Sequence, residues 1–134
     1  MASRPKELNE DLIAGLPDAG PVVMVNLVRL RERAADGDGT GWDAYVRYSQ
    51  GFTPLLKACG GTILWGGNVE ALAFGDPNGP RWDYVVLVRY PSRADFLRIM
   101  TSAEYATANE HRENGLEAHL IFATTETYSK FAAK

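Results

Sequence analysis

Short β-branched runs alternate along the chain with stretches whose apolar residues return every three to four positions. Pro21 to Leu30 (PVVMVNLVRL), bounded by Asp18 and Gly20 before it and the charged RERAADGDGTG after it, reads as a first strand. Trp42, Tyr45, Val46, Ser49, Thr53, Leu56 and Cys59 then recur at helical spacing, with Thr40 and Asp43 as a capping box ahead and Gly60-Gly61 behind. Gly51 and Pro54 sit inside this helix, and a proline that removes a backbone donor predicts a bend near Gln50. Thr62 to Asn68 (TILWGGN) is a second strand, which Val69 to Phe74 either continue or follow as a separate strand after a bulge at Gly66-Gly67. The turn-rich run Gly75 to Pro80 leads into Trp82 to Tyr90 (WDYVVLVRY), so these strands form an antiparallel hairpin. Ser92 with Asp95 and Thr101 with Glu104 are two more capping boxes, predicting a helix to about Asn114 that kinks or restarts near Thr101. Gly115 is placed for a left-handed cap, and Leu116 to Thr127 is the last strand.

Ahead of all this, Ser3 and Pro5 open a short helix with Leu8, Leu12 and Leu16 in line, stopped by Gly15 and Pro17. The order is an added helix followed by βαββαβ, the split βαβ unit. The expected class is therefore α+β, a ferredoxin-like four-stranded antiparallel sheet with both helices on one face. The other face cannot be left to water. Val22, Met24 and Val28 alternate with Val23, Val25 and Leu27, and Tyr84, Val86 and Val88 alternate with Val85 and Leu87, so both strands are apolar in both phases. At 134 residues the chain is one domain, with a core of about 20–126, an arm over 1–19 and a tail over 127–134, and no element except the terminal arms is left for a second layer. A second copy of the sheet is the economical cover, so a homodimer is expected.

Composition narrows the partners. A formal charge of -3 without a long basic block lacks the footprint that nucleic-acid binding requires. The longest apolar runs fall far short of the roughly 20 residues of a membrane helix, and MASRPKELNEDL has no signal-peptide core, so the chain reads as cytoplasmic with no membrane partner. Cys59 is the one cysteine, which excludes an internal disulfide and a cysteine-based metal site. Asp36-Gly37-Asp38-Gly39-Thr40-Gly41 lacks the further oxygen ligands of a calcium loop, and its carboxylates would repel a phosphate, so it reads as a solvated loop. No metal is expected.

The candidate chemistry lies in polar and aromatic residues on apolar elements. Asn26 is the polar residue in its strand phase and must find partners, either a ligand carbonyl or oxyanion or a neighbouring loop. On an uninterrupted helix Phe96, Met100, Ala103, Thr107 and His111 share one stripe, placing His111 toward the core as a general base or a structural histidine. Tyr105 and Arg112 then fall on nearly the opposite stripe, Tyr105 packing against the arm or a partner. Arg112 either forks onto a substrate carboxylate or complements the helix dipole. Arg89 would need an anion from another element, the partner or a ligand if its face is covered. Trp65, Tyr45 and Tyr48 could wall a pocket or simply pack. His119, on the last strand, reads as an interface or surface histidine.

The stretches PVVMVNLVRL, YVRYS, GGTILWGG, WDYVVLVRYPSRADFLRIM and SAEYATANEHRENGLEAHLI, spanning roughly residues 20 to 126, together resemble a small uncharacterised bacterial family known as a domain of unknown function, within the dimeric α+β barrel superfamily. That resemblance implies the fold and a pocket between sheet and helices, where relatives such as cofactor-free quinol monooxygenases, polyketide cyclases, muconolactone isomerases and haem-dependent peroxidases do their chemistry. Only His111 and His119 could ligate haem here, nothing beyond the fold points to it, and no cofactor is expected. Two functions stay open. One is a cofactor-free enzyme using acid/base chemistry on a small carbonyl or carboxylate compound, with His111 moving a proton and Asn26 or an arginine steadying developing negative charge. The other is a non-catalytic small-molecule-binding or dimeric interaction module.

Overall fold

The capping side chains decide where the helices begin. In the computed structural model, which describes residues 4–17 and 20–131, Thr40 accepts from the Asp43 amide while the Asp43 carboxylate accepts from the Thr40 amide, opening a helix over Gly41–Ala58. This helix runs continuously through Pro54. Ser92 accepts from the Asp95 amide and starts a helix over Arg93–Met100. Its continuation is a new helix, Ala103–Gly115, capped by Ser102, which accepts from the Tyr105 amide; the expected Thr101–Glu104 box is replaced because the Thr101 hydroxyl donates back to the Leu97 carbonyl. Together with the short Glu10–Ala14 segment these are α1 (Glu10–Ala14), α2 (Gly41–Ala58), α3 (Arg93–Met100) and α4 (Ala103–Gly115).

The strands are β1 (Val22–Leu30), β2 (Thr62–Asn68), β3 (Tyr84–Tyr90) and β4 (Leu116–Thr124), in one antiparallel sheet of order β2-β3-β1-β4. This is the ferredoxin-like arrangement, with Val22, Met24, Val28, Val86 and Val88 buried beneath Tyr45, Phe52, Leu56, Phe96 and Tyr105 of the helices. Val69 to Phe74 continue no strand and are exposed. The bulge in β2 lies between Ile63 and Trp65 instead of at the glycines, and it puts Leu64 and Trp65 opposite Leu87.

Two glycine positions are set by space. Gly115 is not left-handed; a Cβ there would stand 2.6 Å from the Gly41 carbonyl, so the glycine lets the end of α4 meet the start of α2. Gly66 leaves room for the Tyr84 ring, whose hydroxyl would lie 2.3 Å from a Cβ.

The N-terminal arm differs most from its expected form. Ser3 lies outside the described residues, α1 is only five residues long and buries none of them, and Leu12 and Leu16 are exposed. Pro5 is buried and Leu8 and Ile13 pack on the core, so the arm holds on by scattered anchors. On the sheet face away from the helices Val23, Val25, Val85 and Leu87 are half-buried and Phe122 is exposed, and Thr125 to Phe131 border a groove across part of it.

Candidate functional site

The helices do not fill the space above the sheet. A cavity of about 470 Å³ lies between β1, β3 and β4 below and α2, α3 and α4 above. Its walls are aromatic because α2 presents Trp42, Tyr45, Tyr48 and Phe52 at helical spacing and β3 adds Tyr84 and Tyr90. Trp42 meets Tyr84 edge-on at 5.2 Å and Tyr48 meets Tyr105 edge-on at 5.9 Å, while Tyr48 and Phe52 stack at 5.6 Å.

One pole of the cavity is polar. The Tyr48 and Tyr105 hydroxyls lie 2.9 Å apart. Burial raises the Tyr48 phenol well above its usual range; burial also raises Tyr105, while the Arg112 guanidinium and the bond from Tyr48 oppose that rise. Beneath them Asn26 Nδ2 donates to the Met24 and Val86 carbonyls, which fixes Oδ1 as the acceptor facing His119 Nε2 at 2.8 Å. On the other side of the ring, Arg112 Nη1 lies 3.0 Å from His119 Nδ1.

These contacts assign the tautomer. A guanidinium only donates, so His119 Nδ1 accepts and Nε2 carries the hydrogen that Asn26 Oδ1 receives. The ring is thus locked neutral, and burial followed by the neighbouring Arg112 charge pushes its pKa down to about 3. Arg112 is itself buried, 4% exposed, with Nε donating to Asn109 Oδ1 at 2.6 Å and Nη2 to Glu7 Oε1 at 2.8 Å. Burial opposes its charge, and Tyr105 and Glu7 outweigh that, leaving Arg112 more firmly protonated than usual. Burial raises the Glu7 carboxyl, but its bond to Arg112 dominates and holds it below the usual range.

Of the residues expected at a site, Asn26, Tyr45, Tyr48 and Tyr105 converge on this cavity, and Arg112 stands behind His119. Three do not converge. His111 does not line this cavity, because the break at Thr101 and the fresh cap at Ser102 re-phase α4, so that Tyr105, Ala108, Asn109 and Arg112 form its inward stripe. Trp65 is half-exposed on the outer sheet face, where the bulge aligns it with Leu87. Arg89 is exposed on the same face, opposite Val23 and Thr62.

His119 corrects the sequence reading in the other direction: pairing with Val28 turns it inward. The phase of β4 is set by an irregularity at Arg29/Leu30, which no local pattern announces. Glu7 and Tyr84 carry no sequence signal of a place at the site, the first because only the path of the arm brings it to Arg112. Among the described residues no cluster of His, Cys, Asp or Glu suits a metal, and no helix is long and apolar enough to cross a membrane. The Asp36 carboxylate accepts from the Asp38 amide and Asn114, consistent with a self-bonded loop.

Fold and cavity together define a ferredoxin-like α+β protein with an aromatic chamber between sheet and helices. The chain belongs to the family described as domain of unknown function DUF1330, whose model matches residues 34–125. That segment contains Tyr48, Tyr105, Arg112 and His119, whereas Asn26 and Glu7 precede it. Two solved structures of the RPA0582 protein are similar over nearly the whole chain at 32% identity and a TM-score of 0.81. The methylated protein covers 97% of each chain; the other, of unknown function and from Rhodopseudomonas palustris, covers 96% of this chain and 98% of that one. A dimeric protein of unknown function with a ferredoxin-like fold from Bacteroides fragilis NCTC 9343 is 15% identical, with a TM-score of 0.45, covering 78% of this chain and 94% of its own. No curated protein matches the chain.

Proposed function

We propose that the protein binds a small, largely apolar organic molecule in the aromatic cavity and holds its carbonyl or oxyanion by the phenol pole. The observation that carries this reading is the Tyr48–Tyr105 pair. Two phenols own two O–H donors, one is used between them, and the other has no acceptor among the described residues. A buried donor without a partner is costly, and a ligand oxygen relieves that cost. The walls match such a ligand in size and polarity, since small-molecule sites are mostly apolar with a few placed donors.

Binding is favoured over proton abstraction by the inventory of the lining. It contains tyrosines and His119 but no carboxylate, and His119 Nδ1 is already occupied by Arg112. If the bound molecule reacts, the chemistry within reach is electrophilic: Tyr105, with the Arg112 charge nearby, polarises a carbonyl as developing negative charge appears on its oxygen.

The assembly reading is a homodimer through the outer sheet face. Val25, Leu87 and Phe122 leave that face apolar yet incompletely covered by the tail, and a second identical face is its symmetric complement.

A direct test is titration with 4-phenyl-2-butanone, followed by ligand-observed NMR and thermal shift. Wild type should be stabilised, Tyr105→Phe should lose most of that stabilisation, and His111→Ala should keep it. Equal stabilisation of wild type and Tyr105→Phe, or none at all, would overturn the phenol-pole assignment.

A further inference from the structure

A second cavity of about 310 Å³ lies beneath the N-terminal arm and shares Met24, Phe96, Met100, Tyr105, His119 and Ile121 with the aromatic one. Its outer wall comes from the arm, through Pro5, Glu7, Leu8, Asn9 and Ile13, and its floor holds Arg112. We infer that Arg112 is a carboxylate seat which Glu7 fills in the absence of ligand, and that an organic acid entering this cavity takes the seat and releases the arm. The inference rests on the reading of the adjoining cavity as a small-molecule site and names the class of molecule: a monocarboxylate with an apolar body.

Three observations support the exchange. A guanidinium has five N–H donors, and Arg112 makes three hydrogen bonds, to Asn109, His119 and Glu7, so two donors remain in a buried place. Of its three acceptors only Glu7 is an anion, and a buried cation needs one, since removing its counter-charge is strongly destabilising. That anion comes from a lightly held part of the fold. The Glu7 side chain is 46% exposed, and α1 just after it buries no residue.

The exchange is also favourable in kind. Glu7 meets Arg112 through one oxygen, whereas a free carboxylate can take Nη2 and one of the uncommitted N–H groups as a fork, the stronger geometry. Displaced Glu7 returns to water at little cost because it is already half there. Phe96, Met100 and Ile13 supply an apolar wall for the body of the acid.

The test compares 3-phenylpropionate with 4-phenyl-2-butanone, of similar size but uncharged, by calorimetric titration of wild type, Glu7→Gln and Arg112→Lys. Glu7→Gln removes the competing charge at a half-exposed position while its amide oxygen still accepts from Arg112 Nη2, so with a native circular dichroism spectrum as the folding check it is the deciding variant. The acid should bind it about tenfold more tightly than wild type, while ketone affinity stays the same; Arg112→Lys should weaken the acid more than the ketone. Amide exchange of residues 4–16 should quicken when the acid binds wild type. Acid affinity unchanged or weakened in Glu7→Gln would overturn the seat, and ketone binding that persists in that case would leave the phenol-pole reading standing. Failure of both probes on every variant would overturn both.

Discussion

The two faces of one sheet part company within single strands. Val23 and Val25 on β1 look outward and are half-exposed, while Met24 and Asn26 between them look inward and are buried. At the centre of the sheet the outward residues of β1 and β3 are apolar and unfinished, with Arg89 at the edge of that patch; the inward set includes Asn26 and His119, in a chain of bonds that ends at Arg112 and Glu7. Hydrophobicity alone therefore locates neither the core nor the site. A polar residue on the covered face is the informative one, because burying it is costly unless partners or a ligand meet its donors and acceptors.

The comparison can be broken most severely at Arg112. Arg112→Met leaves His119 Nδ1 and Asn109 Oδ1 without their donor, and should lower unfolding free energy by about 3 kcal/mol in urea or guanidinium titration. A loss below about 1 kcal/mol would mean that the inner network is solvated rather than sealed.

The outer face gives the next effect. Leu87→Lys places a charge on it and should leave the circular dichroism spectrum native while shifting the light-scattering mass at micromolar concentration from dimer to monomer, a loss of about 2 kcal/mol or more in association. A wild-type monomer under the same conditions would contradict the second copy as its cover.

His119 separates the faces by pH. Its folded pKa of about 3 lies below the ordinary value, so the unfolded chain binds the proton first as pH falls. Its contribution is complete above about pH 6.5 and declines toward the folded pKa at about 1.4 kcal/mol per unit. Between pH 6 and 5 most carboxylates are still ionised, so the slope there reports the histidine. Replacing His119 with Gln should flatten it, and an unchanged slope would show that the ring is not held neutral.

The smallest effect belongs to Tyr105→Phe, which removes one hydroxyl bond and should cost about 1 kcal/mol without ligand. A much larger loss would mark the phenol pair as a structural bond.

Much of the fold was legible because its signals are local. Thr40 with Asp43 and Ser92 with Asp95 cap helices where expected, α2 stops at the expected Gly60-Gly61, and the two-phase apolar strands are the neighbouring β1 and β3 of the sheet. The site was legible only in part. Asn26 is visible because it interrupts an apolar phase, and Tyr45 and Tyr48 lie on a helix whose phase its cap fixes. His111 was misplaced by extending one helical phase through Thr101, where Ser102 starts another. Trp65 and His119 were turned by bulges, since one extra residue changes which face the following side chains meet.

The sequence by itself therefore determined the order of elements, their caps and the presence of an inward-facing amide on β1, because each depends on residues a few positions apart. The tertiary structure alone decided that Asn26, His119, Arg112 and Glu7 form one chain of hydrogen bonds. Those residues are separated by 93, 7 and 105 positions, and what joins them is the register of β4 on β1, the phase of α4 and the path of the arm, all fixed by packing between elements.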